Sequence, residues 1–212
     1  APRPGTPAGV AGRGADTRVY GTWDGTLDGG VPDDFSHIDV LVDGVSAGQL
    51  SRAGCVTVRG LTPGDTVTVT AGGNYVVTGT AAEGRVIVNA PGEEVVLVLQ
   101  NADITCADGS PLYGYKAARL TVYLAEGSEN TLTDGGNYSF RDSYSSAAEE
   151  EPNACLYAKS DLVIAGSGAL TVRGNYNNGI TGKDTLTIEA ADLTVTARNH
   201  GITGKDCCTV QN

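Results

Sequence analysis

Asn178-Gly179-Ile180-Thr181-Gly182-Lys183-Asp184 is followed 22 residues later by His200-Gly201-Ile202-Thr203-Gly204-Lys205-Asp206, and six of the seven positions are identical. A period of that length, in a chain rich in Gly, Thr and Val, marks a stacked solenoid in which each repeat is one rung. Function in such an array sits on a long face, built from the same position of successive rungs.

Working outward, Leu112, Leu156, Ile180 and Ile202 read as equivalent inward positions, separated by 44, 24 and 22 residues. The last two steps are single turns. The first is one turn carrying an insertion of roughly twenty residues. Three short strands recur within a turn: Leu162-Val163-Ile164, Leu170-Thr171-Val172 and Gly179-Ile180-Thr181, then Leu186-Thr187-Ile188, Leu193-Thr194-Val195 and Gly201-Ile202-Thr203. Three strands per turn of about 22–24 residues predict an all-β fold, a right-handed parallel β-helix. Inward Leu, Ile and Val stack into a core and the Thr between them face solvent.

The organisation expected is an extended Pro/Gly-rich arm at 1–16, an irregular β cap with entry coils at 17–73, and the β-helix at 74–212. The inserted loop falls at about 134–153, with five acids, one base and the aromatics Tyr138, Phe140 and Tyr144. A loop that long is either functional or mobile. The final Cys207-Cys208-Thr209-Val210-Gln211-Asn212 begins a strand with no polar cap behind it. That leaves a longer natural protein, a cut chain, or an open end that pairs with another molecule. The last option predicts a homo-oligomer or filament grown head to tail, because a bare strand edge is a template for addition.

The net charge of −11 argues against nucleic acid and against an anionic membrane surface. No run of about 18 apolar residues is present, so no membrane insertion is expected. The chain begins with Ala, which fits a mature exported product, secreted or at the cell surface. Five Cys, at 55, 106, 155, 207 and 208, read either as small buried hydrophobes or as one or two disulfides with at least one left over.

Lys159, Lys183 and Lys205 stack at roughly 4.8 Å per rung on this reading. Asp184 and Asp206 stack beside them, with Ser160 and then Asp161 at the preceding rung. Two readings of the column stand. In one, Lys and Asp neutralise each other and close the turn, since like charges at strand spacing need compensation. In the other, Asp161, Asp184, Asp206, Asn178 and Asn199 supply oxygens to a calcium ion, which takes 6 to 8 of them. Tyr113, Tyr115, Tyr157 and Tyr176 lie near the turns and offer stacking faces, or pack one face with the hydroxyl wet. The candidate glycan contacts are Lys159, Lys183, Lys205, Tyr157, Tyr176 and His200. Catalysis has little behind it: His37 and His200 are isolated, and no Gly-x-Ser-x-Gly or phosphate-loop motif appears.

The run from Asp161 to Asp184, together with Leu124–Asp134 and Glu151–Lys159, resembles a bacterial family of exported carbohydrate-binding domain-containing proteins. The resemblance covers roughly 74–212. It implies a pectate-lyase-like β-helix, export, binding of polysaccharides such as cellulose and polygalacturonate, and calcium in some members. It does not imply lyase activity. Where the family often has Asp-Asp or Asn-Asp before Gly-Ile, this chain has Asn177-Asn178 and Asn199-His200.

Overall fold

A computed structural model describes residues 66–189 and 191–211, and the backbone of three earlier strands, β1 (Asp16–Thr22), β2 (Ser36–Leu41) and β3 (Ala53–Thr57). Most of the expected arm and cap lies outside the described residues, as does the Cys55 side chain. β1 and β2 pair antiparallel. Among the described residues every later pairing between strands is parallel, beginning with β2–β3. Parallel stacking therefore starts before residue 74, where the β-helix was expected to begin.

The strands form three faces of a solenoid. β3, the first half of β5 (Gly73–Ala81), the first half of β7 (Glu94–Cys106), β9 (Arg119–Leu124), β12 (Asp161–Gly166), β15 (Thr185–Glu189) and β18 (Cys207–Gln211) make the first. The second holds the far halves of β5 and β7, then β10 (Glu129–Asp134), β13 (Ala169–Gly174) and β16 (Asp192–Ala197). The third is a six-stranded sheet: β4 (Thr66–Val69), β6 (Arg85–Asn89), β8 (Leu112–Lys116), β11 (Ala154–Ala158), β14 (Asn178–Gly182) and β17 (Ile202–Gly204). β5 and β7 each serve two faces. The corner in β7 passes through Asn101 at φ 54°, a left-handed conformation that Asn tolerates.

The inward columns run through all three faces. On the third face Val67, Val86, Leu112, Leu156 and Ile180 lie in register and are fully buried. Val95, Leu120, Leu162 and Leu186 do the same on the first. Removing each such side chain from water contributes about 1.5–3 kcal/mol, and only stacking provides the burial. Ile202 continues the third-face column but is 40% exposed, and Val210 on β18 is 68% exposed. The equivalence read from the repeat holds in register, while the burial weakens at the last described coil. Cys106 and Cys155 are buried, Cys207 and Cys208 are exposed, and all four are free thiols.

Residues 135–153, between β10 and β11, are a packed strap across the third face. Tyr144 packs with Tyr115 against the outer cluster of Ile87, Tyr113, Ala154 and Tyr157. Tyr113 donates to the carbonyl of Tyr144 at 3.1 Å, and Arg85 pairs with Asp142. Ser146 and Glu151 exchange two backbone hydrogen bonds. At the strap's start, buried Asp134 accepts from the Tyr138 hydroxyl at 2.7 Å and from the Asn175 and Tyr176 backbone. Burial raises its carboxyl pKa against the pull of those donors.

Candidate functional site

The third-face strands end in a corner that the Gly-Lys-Asp repeat builds. Gly114, Ala158, Gly182 and Gly204 stand in register at that corner. A Cβ on Gly204 would overlap the carbonyl oxygen of Cys207, so the chain turns there too tightly for a side chain. The next residues stack through the backbone. Lys159, Lys183 and Lys205 donate their N–H groups to the carbonyls of Gly114, Ala158 and Gly182 at 2.8, 2.8 and 2.9 Å. The lysine column is therefore real, and Tyr115 takes the same place one coil earlier, with Lys116 beside it.

Its charge is compensated differently from the sequence reading. Glu151, from the end of the strap, places Oε2 2.7 Å from Lys159 Nζ and Oε1 2.5 Å from Lys183 Nζ. The Glu151 residue is 6% exposed. Burial alone would raise its pKa, but hydrogen bonds from the two ammoniums outweigh that and bring it down to about 2. Asp184 and Asp206 do not neutralise the lysines. Both are exposed, and they stack through the Asp206 N–H to the Asp184 carbonyl at 3.2 Å. Lys205 is exposed on the last coil.

Beside the column lies a cleft of about 390 Å³, lined by the turn at Pro91 and Gly92 and by Tyr115, Lys116, Ala117, Lys159, Ser160 and Asp184. That size falls at the lower end for small-molecule sites. Lys116 Nζ stands 5.1 Å and Lys159 Nζ 5.6 Å from the Tyr115 ring centroid, within cation–π range. The ring is held edge-on by Tyr113 at 5.8 Å and Tyr144 at 5.3 Å. Ser160 is 5% exposed, and its Oγ has no hydrogen-bond partner. Asp184 is the one carboxylate in the lining, so the cleft lacks the facing pair that glycoside hydrolysis uses.

The remaining candidates lie elsewhere. Tyr157 is fully buried under the strap and presents no face to a glycan. Tyr176, half-buried at the opposite end of the third-face strands, stacks on Tyr138 of the strap at 4.2 Å. His200 is exposed at that same end, with its N–H 3.2 Å from Asn178 Oδ1.

The five oxygen donors expected for calcium do not converge. Asn178 and Asn199 precede β14 and β17 or open them, whereas Asp184 and Asp206 follow those strands. A five-residue strand puts roughly 15 Å between the two groups. Asp161 sits on the first face and accepts from Thr185 Oγ1 at 2.6 Å, which lowers its pKa. Among the described residues no group of three or more His, Cys, Asp or Glu is placed to hold a metal.

Sequence reading missed Lys116 and Glu151. Gly114-Tyr115-Lys116 is the Gly-Lys-Asp corner with its cation displaced by one residue, a signal visible only once the coils are aligned. Glu151 is the third of three consecutive glutamates, and nothing local marks it from its neighbours.

The parallel three-faced solenoid is a fold this chain shares with a polysaccharide lyase-like protein. The solved structure of such a protein from C. thermocellum, a gadolinium derivative, matches with a TM-score of 0.60 at 30% identity, over 68% of this chain and 69% of that one. Residues 63–212 match the model of the carbohydrate-binding domain-containing protein family, and the chain belongs to that family. A relative described by the same words, from Acetivibrio thermocellus, is 39% identical over 132 residues, 62% of this chain. This chain spans 45% of that relative's length.

Proposed function

We propose that the protein is a non-catalytic, extracellular polysaccharide-binding β-helix that engages glycan at the corner cleft. The observation that carries this is the cleft itself: ammonium, hydroxyl, carboxylate and aromatic groups gathered in a sugar-sized recess. Family membership and the lyase-like solenoid support the ligand class. The lining supports binding over glycoside hydrolysis, because among the described residues Asp184 is its one carboxylate. Among the described residues no helix is long and apolar enough to cross a membrane.

Isothermal titration against soluble cello-oligosaccharides, xylan and polygalacturonate tests the reading, with unsaturated-product absorbance followed in parallel. Saturable binding without product is expected. No binding to any of the three ends the proposal, and product formation replaces it with a lyase. Calcium enters through the family resemblance alone, and repeating each titration in chelator and in calcium measures its effect.

A second reading is head-to-tail assembly of copies as a surface or fibre subunit. Such assembly would cover Ile202 and Val210 on β17 and β18, which are exposed among the described residues. Sedimentation that depends on concentration, and loses that dependence in Val210→Asp, is the expected result. Monomers throughout end this reading.

A further inference from the structure

We propose that Tyr144 of the strap is a positioning residue for the corner cleft. It holds the Tyr115 ring, and through that ring the ammoniums beside it, in the arrangement that receives a glycan, so that strap docking and glycan affinity are linked. This rests on the polysaccharide-binding reading above and names what governs that same site.

No residue of the strap lines the cleft, yet the strap touches two groups that do. Tyr113 and Tyr115 are two apart on β8 and share its outward side. Tyr113 is fully buried beneath the strap. Tyr115 packs against Tyr144 of the strap and is also the one aromatic ring of the cleft lining. Edge-on contacts from Tyr144 at 5.3 Å and 72°, and from Tyr113 at 5.8 Å and 79°, restrict how that ring can turn. Lys116 and Lys159 place Nζ 5.1 and 5.6 Å from its centroid, so the ring's orientation bears on where both ammoniums rest. Lys159 is tied a second time by Glu151, at the strap's far end.

Tyr144 is itself fixed without help from Tyr115. Its N–H donates to Asp142 Oδ1 at 2.7 Å, and its carbonyl accepts from the Tyr113 hydroxyl at 3.1 Å. Asp142 is in turn paired with buried Arg85. These backbone contacts deliver the Tyr144 ring to a set place, and a change of side chain leaves them available. Lifting the strap would take from Tyr115 one of its two flanking rings and from Lys159 its carboxylate. A glycan entering such a cleft has to order those side chains as it binds, and its affinity falls accordingly.

Titration with soluble cello-oligosaccharides, xylan and polygalacturonate tests the link, carried forward with whichever the wild-type protein binds most tightly. Tyr144→Leu keeps the bulk and the backbone contacts and removes the edge-on ring. It should weaken binding about fivefold, the scale of ordering one side chain. Tyr144→Phe should bind as the wild type does. In a Tyr115→Leu background, Tyr144→Leu should change affinity no further, because its action passes through Tyr115. A measurement on the wild-type protein needs no variant to fold. Saturating glycan should slow hydrogen exchange at the Tyr144 and Ser145 amides, both bonded to Asp142, by a similar factor, since linkage is reciprocal. Unchanged affinity in Tyr144→Leu, a loss that persists undiminished without Tyr115, or exchange that glycan does not slow each overturns the positioning role and leaves polysaccharide binding intact. Failure of every glycan to bind the wild-type protein removes both.

Discussion

Glu151 and Lys183 lie 32 residues apart in the chain and meet at 2.5 Å, the carboxylate arriving from the strap and the ammonium from the repeat. The second oxygen of the same carboxylate holds Lys159, so one acidic residue fastens the strap across two coils. Glu151→Gln leaves two ammoniums without their counter-charge. Their side chains stay about a third exposed, 32% for Lys159 and 33% for Lys183. The expected loss is about 2 kcal/mol, below the range for fully buried pairs. Urea unfolding at neutral pH measures it.

The same contact has a pH signature. The Glu151 carboxyl titrates at about 2 in the folded protein against an ordinary value of 4.5. A depressed carboxylate contributes stability that is complete above the ordinary value and lost as pH falls toward the folded one. The stability difference between wild type and Glu151→Gln should therefore be constant above pH about 4.5 and narrow as pH falls toward 2. A difference that does not change across that window counts against the assigned contact.

Ile180 and Ile202 occupy the same place in the repeat and should respond differently to the same truncation. Ile180 is fully buried between Leu156 and Ile202 on neighbouring strands, and Ile202 is 40% exposed. Ile180→Ala is expected to cost about 2–5 kcal/mol through lost transfer energy and a residual cavity. Ile202→Ala should cost less than about 1 kcal/mol. Equal losses would show that Ile202 is covered in solution, which is also what the assembly reading requires.

Columns were legible in the sequence because stacking repeats the same contact at a fixed interval. Leu112, Leu156, Ile180 and Ile202 pair in the order their spacing implies, and Lys159, Lys183 and Lys205 stack behind them. Contacts across columns were not legible. No periodicity says that the strap bends over the third face, buries Tyr157 and sets Glu151 between two lysines. The expected calcium ligands failed to converge for a related reason. Motif neighbours such as Asn178 and Asp184 are close in sequence, yet an extended strand separates them. Lys116 was hidden by the irregular step between Val88 and Asn89, which shifts the register of that coil by one residue.

Gly135 and Gly136 are adjacent at the root of the strap, and only one of them should tolerate a methyl group. A Cβ on Gly135 would overlap the backbone of Ala107, which has no flexible atom to yield. At Gly136 nothing lies within 4 Å. Gly135→Ala is expected to lose about 3 kcal/mol, as overpacking against fixed backbone does. Gly136→Ala should be neutral or slightly stabilising, since alanine restricts the unfolded chain. Thermal melts of the two single variants decide it, and comparable melting temperatures would show that the strap root is not packed against Ala107.

Ser160 separates a structural hydroxyl from one reserved for a ligand. Its Oγ is buried at the wall of the cleft without a partner. An unmet buried hydroxyl costs about 1–3 kcal/mol in desolvation. Ser160→Ala removes that cost and leaves the chain path unchanged, so stability should hold or rise. If the hydroxyl completes its hydrogen bonding on a bound sugar, the same variant weakens glycan binding by about tenfold, the scale of one hydrogen bond. The two readouts move in opposite directions only when the serine serves a ligand. A Ser160→Ala protein that loses stability and binds as before would make Ser160 part of the scaffold, with a hydrogen bond formed in solution to the neighbouring corner.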